Sequence, residues 1–261
     1  MTGFHVVIPA RHASSRLPGK PLLPIAGKPM VIRVAEQAAL SGAQQIWIAT
    51  DHHAIVNVVH EYGFKACLTR ESHASGTDRI AEVVEQRSWP DDTIVVNVQG
   101  DEPLIPPSLI SSVAEHLHQH PESVMATACH MIHDEISFRN PNVVKVVLDS
   151  NGNALYFSRA PIPWPRDAFL QGHPMPSDMS ALRHIGIYAY RAGFLRTFEN
   201  LTPAPTENFE ALEQLRVLYH GHKIAVLIVD QAPQGGVDTE QDLHAVQQYF
   251  PTKNNSEEAV K

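Results

Sequence analysis

The amino-acid order predicts an α/β fold, doubly wound on a mostly parallel sheet. Two observations carry this. Through the first 120 residues, short apolar runs alternate with amphipathic stretches, the pattern of β-α units joined by right-handed crossovers. One of those runs, residues 93–98, is rich in β-branched side chains, as in a strand buried on both faces. The length agrees: 261 residues with a 43% apolar fraction suit one large domain with a real core.

The elements follow in order. Residues 4–9 form a first strand that runs into Pro9. Residues 29–41 read as a helix, with Pro29 in its first turn and Gly42 past its end. Residues 45–50 are a second strand. Asp51 can cap a helix whose apolar face is Ile55, Val58, Val59 and Tyr62. Gly63 closes it, and residues 64–68 give a third strand. Thr77 can cap a helix with Ile80, Val83 and Val84 on one face. After the fourth strand, 93–98, residues 107–119 are helical. Beyond about residue 120 the pattern changes. Residues 143–148 and 185–190 read as strands, and the Pro-, Trp- and Asp-rich stretch 161–180 between them reads as an insertion. A helix at 208–219 and a strand at 223–229 follow. Thr239 caps a last helix, with Asp242 as its capping-box partner. The polar tail is expected to be disordered.

Charge and composition exclude several classes. The net charge of −8, from 20 Lys+Arg and 28 Asp+Glu, disfavours a nucleic-acid binder, because an acidic surface repels phosphate backbones. Any phosphate ligand must meet a local cationic site. Cys67 and Cys129 both lie in strand-like runs and read as reduced core thiols. No signal-peptide pattern opens the chain, and no apolar run approaches the ~20 residues of a membrane span. A cytoplasmic, soluble protein with no membrane association is expected. Among the 16 histidines, His116, His118 and His120 are spaced by two within a helix, so the three cannot share one face.

Open parallel sheets bind ligands beyond the carboxyl ends of their strands. The first strand leads into a loop, 9–20, that carries Arg11, Arg16 and Lys20 and offers backbone N–H groups, a combination a triphosphate requires. A solvated basic loop would have the same composition. It is not a Walker A loop, since Gly19-Lys20 and Gly27-Lys28 are each followed by proline. The fourth strand leads into Gly100-Asp101-Glu102-Pro103. A carboxylate there can hold Mg²⁺, which takes one or two carboxylates plus substrate phosphates; a turn or cap role fits the same residue. Asp238, after Gly235-Gly236-Val237, is a second such position, and two aspartates could together hold metal for phosphoryl chemistry. The small residues of Ser75-Gly76-Thr77 at a helix start suit the approach of a flat base or ribose, or simply a capped helix.

Several blocks follow one another in order along the chain: Arg16-Leu17-Pro18-Gly19-Lys20-Pro21-Leu22, Ser75-Gly76-Thr77-Asp78-Arg79, Asn97-Val98-Gln99-Gly100-Asp101-Glu102-Pro103, Val144-Lys145-Val146-Val147-Leu148-Asp149, Ala154-Leu155-Tyr156-Phe157-Ser158-Arg159, Arg183-His184-Ile185-Gly186-Ile187-Tyr188, Leu212-Glu213-Gln214-Leu215-Arg216 and Gly236-Val237-Asp238-Thr239. With them the chain resembles the 3-deoxy-manno-octulosonate (Kdo) cytidylyltransferases, or CMP-Kdo synthetases, over most of its length. The resemblance implies a nucleotide-diphospho-sugar transferase-like fold. It implies a single domain over 1–250, with an insertion at about 150–200 used for homodimerisation and a tail at 251–261. It implies a Mg²⁺-dependent enzyme taking CTP and a 3-deoxy sugar acid to a CMP-sugar for lipopolysaccharide synthesis. Arg16 and Lys20 would then hold the triphosphate with Arg11. Ala10, Ser75 and Gly76 would face the nucleoside. Asp101 and Asp238 would bind metal, Asp101 acting with Lys20 and Arg16 in catalysis. Arg79, Gln99, His184, Tyr188, Glu213 and Gln214 would line the sugar pocket. The 8-amino relative of the sugar, a sialic acid as acceptor, and a non-catalytic nucleotide-binding relative are the other readings. The retained Asp101 and Asp238 argue against the last.

Overall fold

Strand β1 (Phe4–Ala10) alternates its side chains between two cores, Val6 and Ile8 into one and Val7 into the other. It is therefore buried on both faces, and the rest of the fold is layered around it. The computed structural model describes residues 3–13, 17–73 and 75–250. After β1 come a single 3₁₀ turn at Lys20–Leu22 and a two-residue hairpin, β2 (Pro24–Ile25) and β3 (Lys28–Pro29). Next are α1 (Met30–Ala39), β4 (Gln45–Thr50), α2 (His53–Glu61), β5 (Lys65–Leu68), α3 (Gly76–Arg87), β6 (Ile94–Asn97) and α4 (Pro107–Gln119). The second half contains β7 (Met125–Met131), α5 (Glu135–Arg139), β8 (Lys145–Leu148), β9 (Ala154–Ser158), α6 (Arg166–Leu170) and β10 (Leu182–Arg191). It closes with α7 (Ala192–Phe198), α8 (Pro205–Glu210), α9 (Gln214–Tyr219), β11 (Ile224–Ile228) and α10 (Glu240–Gln247).

The main sheet runs β5-β4-β1-β6-β10-β7-β11. Along this path all pairings are parallel except those of β10, which lies reversed between β6 and β7; off the path, β8 pairs antiparallel with both β10 and β9. Helices α1, α2 and α4 cover one face of the sheet and α3, α7 and α9 the other. The chain winds from β1 outward to β4 and β5, then from β6 toward β7 and β11. The direction thus reverses between the neighbours β1 and β6, and a crevice opens beyond their carboxyl ends.

The observed strands and helices of the first half follow the sequence pattern within a few residues, but two caps differ. His52, not Asp51, caps α2, its ring nitrogen accepting from the Ala54 N–H. Asp51 is engaged elsewhere, by Arg79 and by the His12 N–H. Ser75, not Thr77, caps α3 in a capping box with Asp78. Thr77 is already inside the helix and buried. The predicted box of Thr239 and Asp242 on α10 is present.

The second half departs further. The helix expected at 208–219 is two helices, because Ala211 turns into the left-handed region (φ 50°) and Leu212 drops into the core. Strand β9 lies outside the predicted strands, and β7 corresponds to the strand-like run around Cys129. The irregular stretch ends before Leu182: residues 182–198, within the bounds expected for the insertion, form β10 and α7 of the main body. Cys67 and Cys129 are free, buried thiols. Trp47 is only partly buried, with Arg87 and Lys65 over its ring, while Trp164 is half exposed. His116 of α4 and His120, the residue capping its end, bring their ring centroids within 4.2 Å. The expected tail, 251–261, lies outside the described residues.

One glycine sets how closely the ends of β1 and β6 approach. A Cβ on Gly100 would lie 2.7 Å from the Pro9 carbonyl oxygen, a backbone atom that cannot swing aside. Gly100→Ala should therefore lower stability by about 1–3 kcal/mol, the usual cost of overpacking, read as a shift of the urea unfolding midpoint. An unchanged midpoint would mean the two strand ends can separate freely.

Candidate active site

The crevice beyond β1 and β6 is a cavity of about 730 Å³. Its walls are Pro9, Ala10, Arg11 and Ala13 from the end of β1, Gln99, Gly100 and Asp101 from the end of β6, Gly76 at the start of α3, and Lys20 and Pro21. The Lys20 ammonium donates to Asp101 Oδ2 at 2.6 Å and to Asp238 Oδ1 at 3.1 Å. Two backbone contacts hold those carboxylates together. The Val237 N–H donates to the Asp101 carbonyl at 2.8 Å, and a Cβ on Gly236 would come within 3.1 Å of that same oxygen. Asp238 is fixed in turn at the start of α10, where its N–H donates to Asp242. Leu17, Ile25, Met30, Val237 and Val246 form a small apolar cluster that anchors the Lys20 segment, the Asp238 segment and α10 to one another.

Beside this charged site lies a buried polar cluster. The Thr77 hydroxyl donates to Glu213 Oε2 at 2.9 Å and lies 3.3 Å from the Tyr190 hydroxyl. His184 Nε2 is 3.0 Å from Thr127 Oγ1, and its ring lies beside Tyr188. A register shift in β10 between Ile185 and Tyr188 re-aims these side chains. Glu213 Oε1, Gln214 Nε2 and Asn97 Oδ1 are buried without a hydrogen-bond partner among the described residues. Such orphans are costly in a dry interior and suit a ligand rich in hydroxyls.

Burial decides the charge state here. It pushes the His184 pKa down to about 3, so the imidazole is neutral and acts as a hydrogen-bonding group rather than a cation. It raises Glu213 against the bonds from Ser75 and Thr77, which favour the carboxylate. Tyr188 is held well above its usual value, first by burial and then by Tyr190 and Glu213. Burial, with the charge of Asp101 next to it, raises Glu102 to about 7.

Of the residues expected at a site, Ala10, Arg11, Lys20, Gly76, Gln99 and Asp101 line the cavity. Ser75 caps the helix at its edge, and Asp238 reaches it through Lys20. His184, Tyr188, Glu213 and Gln214 belong to the adjoining polar cluster. Arg16 lies outside the described residues. Arg79 is not among the cavity-lining residues. It is fully buried, its guanidinium donating to Asp51 Oδ2 at 2.9 Å and to Thr69 Oγ1 at 2.5 Å. Sequence reading assigned Thr77 only a place at a helix start suited to a base or ribose, and assigned Asn97, Tyr190 and Asp51 no site role. Asp51 carried a usable signal, since it directly follows a parallel strand; the others show their role only through contacts across the sheet.

Two carboxylates converging on one ammonium are a suitable donor set for Mg²⁺, which takes few protein carboxylates and completes its shell with phosphate and water oxygens. Among the described residues no group of three or more His, Cys, Asp or Glu gathers as a metal cage.

The cytidylyltransferase family model matches residues 5–224. The chain belongs to that family. A solved structure of CMP:2-keto-3-deoxy-manno-octonic acid synthetase complexed with CTP is similar to this cytidylyltransferase at 41% identity, over 95% of this chain and 98% of that one, with a TM-score of 0.86. No helix among the described residues is long and apolar enough to cross a membrane.

The neutral His184 makes the stability of this cytidylyltransferase pH-dependent. Its folded pKa, about 3, lies below the unfolded value of about 6.5. The unfolded state therefore binds the extra proton, and stability is lost as pH falls below about 6.5, by at most about 1.4 kcal/mol per pH unit. Urea titrations between pH 7.5 and 5 should show a shallower acid loss in His184→Gln than in wild type. Equal slopes would mean that His184 is solvated.

Proposed function

We propose that this cytidylyltransferase transfers CMP from CTP to 3-deoxy-D-manno-octulosonate, releasing pyrophosphate and forming CMP-Kdo. The observation that carries the reading is the meeting of Lys20, Asp101 and Asp238 at the mouth of a cavity, next to a buried hydroxyl- and amide-rich cluster. The 41% identity to a synthetase of that sugar acid, over nearly the whole of both chains, supports it.

The reaction is an in-line displacement. The anomeric hydroxyl of the sugar acid attacks the α-phosphorus, and pyrophosphate leaves on the opposite side. Such transfers depend on positioning and charge neutralisation rather than on a protein nucleophile. Arg11 and Lys20 supply fixed positive charge for the triphosphate, joined by Arg16. Ala10, Ser75 and Gly76 present backbone and small side chains to the nucleoside. Gln99, His184, Tyr188, Glu213 and Gln214 orient the sugar acid; the free Glu213 Oε1 accepts from a hydroxyl and Gln214 Nε2 donates to an oxygen. Asp101 and Asp238 would hold Mg²⁺, which when bound neutralises phosphate charge. Lys20 holds the two carboxylates close to one another. By the same resemblance we assign the protein to the cytoplasm, to lipopolysaccharide synthesis and to a homodimer formed through the region around 150–200.

Pyrophosphate release should be observed with CTP plus Kdo and be far slower with purine triphosphates. A panel with 8-amino-Kdo and a sialic acid tests the acceptor. Faster release with either would move the assignment to that sugar acid, and none with any acceptor would favour a non-catalytic relative.

The two aspartates should act as a unit. Asp101→Asn and Asp238→Asn should each raise the Mg²⁺ concentration needed for half-maximal rate. The double variant should cost much less than the product of the single effects, because residues serving one site are not additive. Full additivity, or wild-type Mg²⁺ dependence in Asp238→Asn, would mean that Asp238 serves only the start of α10.

A further inference from the structure

One fully buried charge belongs to no step above. Arg79 is completely enclosed and is paired with Asp51, a side chain only 11% exposed. A buried ion pair stabilises a fold weakly, because desolvation cancels most of the attraction. Its placement therefore matters more than its energy. Asp51 directly follows β4, whose Thr50 is in register with Ala10 of β1. The two strand ends thus release their loops side by side. One Asp51 oxygen accepts from Arg79 Nη2 and the other, at 3.1 Å, from the backbone N–H of His12. The opposite guanidinium nitrogen donates to Thr69 Oγ1, and that hydroxyl in turn donates to the Thr50 carbonyl at 3.1 Å. The His12 ring also stacks on His52, with centroids 3.9 Å apart. Every described hydrogen bond to the His12 N–H runs through this one carboxylate.

His12 sits between Arg11 and Ala13, both on the cavity wall, and Arg79 lies one helical turn beyond Gly76 on the facing wall. We propose that Asp51 and Arg79 are positioning residues of the nucleotide site, bracing the backbone at His12 so that Arg11 and the N-terminus of α3 face the same triphosphate-bearing nucleotide. This rests on the CTP reading above, and it moves Arg79 from the sugar acid to the nucleotide side of the reaction. Arg79 would act through Asp51 and would not touch substrate. A lysine could not replace it, because one ammonium cannot serve Asp51 and Thr69 in a fixed fork.

Calorimetric binding of CTP, together with KM for CTP and for Kdo, tests this on three variants beside wild type. Wild type is measured first: absence of CTP binding there would refute the functional reading itself, independently of the variants. Asp51→Ala removes the acceptor and should weaken CTP binding and raise its KM by about tenfold or more, the effect of losing one charge-assisted hydrogen bond, with KM for Kdo unchanged. Asp51→Asn breaks the ion pair equally but keeps an oxygen for the His12 N–H, so it should recover much of the CTP affinity. The double variant Asp51→Leu with Arg79→Met replaces the pair with apolar side chains of similar length. It should regain thermal stability over Asp51→Ala while keeping the raised KM for CTP.

A purely structural pair predicts otherwise. Asn would then be as damaging as Ala, and the double variant would recover CTP binding along with its stability; either result overturns the proposal. A rise confined to KM for Kdo also overturns it and returns Arg79 to the sugar pocket. Should the double variant not fold, the contrast between Ala and Asn decides.

Discussion

The contact on which the site depends is the shared ammonium of Lys20. Asp101 and Asp238 carry the same charge and, brought close, repel one another unless a cation lies between them. Lys20 supplies that cation from the loop after β1. The charges alone would not hold the arrangement, since Asp101 and Asp238 are partly open to solvent and exposed pairs contribute little. The backbone does the holding. Val237 bonds the Asp101 carbonyl, and the apolar cluster of Leu17, Ile25, Met30, Val237 and Val246 locks the segments on either side. An electrostatic centre is thus built on rigid supports, which is what a reaction relying on positioning requires.

The reversed strand β10 does for the polar cluster what β1 and β6 do for the cavity. A parallel strand would reach the crevice only with its last residues. An antiparallel one enters from the crevice end, so its early residues, His184 and Tyr188, lie near the tips of its neighbours, with Tyr188 opposite Asn97 of β6. The polar cluster that results is largely enclosed. Burial holds His184 neutral and raises Glu213 and the tyrosines, so this cluster is rich in hydrogen-bonding groups. The arrangement is consistent with the proposed reaction between a triphosphate and a polyhydroxylated acid.

Much of the fold is legible along the chain. β1, α1, β4, α2, β5, α3, β6 and α4 follow from hydrophobic period and from Pro and Gly punctuation, because those signals act within one turn or one strand. Caps are harder to read. Asp51 and Thr77 both have the right chemistry for their helix starts, yet each is drawn off by a distant partner, Arg79 in one case and Glu213 in the other. The neighbouring His52 and Ser75 take the capping role instead. The break at Ala211 is equally silent in sequence, since alanine favours a helix and only the burial of Leu212 overrides it.

The sequence by itself determined the α/β winding, the basic loop after the first strand, the acidic strand ends and, by resemblance, the family. Local order encodes these, because a strand followed by a loop of given charge is a continuous stretch of chain. The tertiary structure alone decided that Lys20 lies between two aspartates far from it in sequence, that β10 runs backwards beside β6, and that Arg79 is spent on Asp51. Each depends on residues brought together only when the sheet closes, and no periodicity within a segment records which distant partner a buried charge will find.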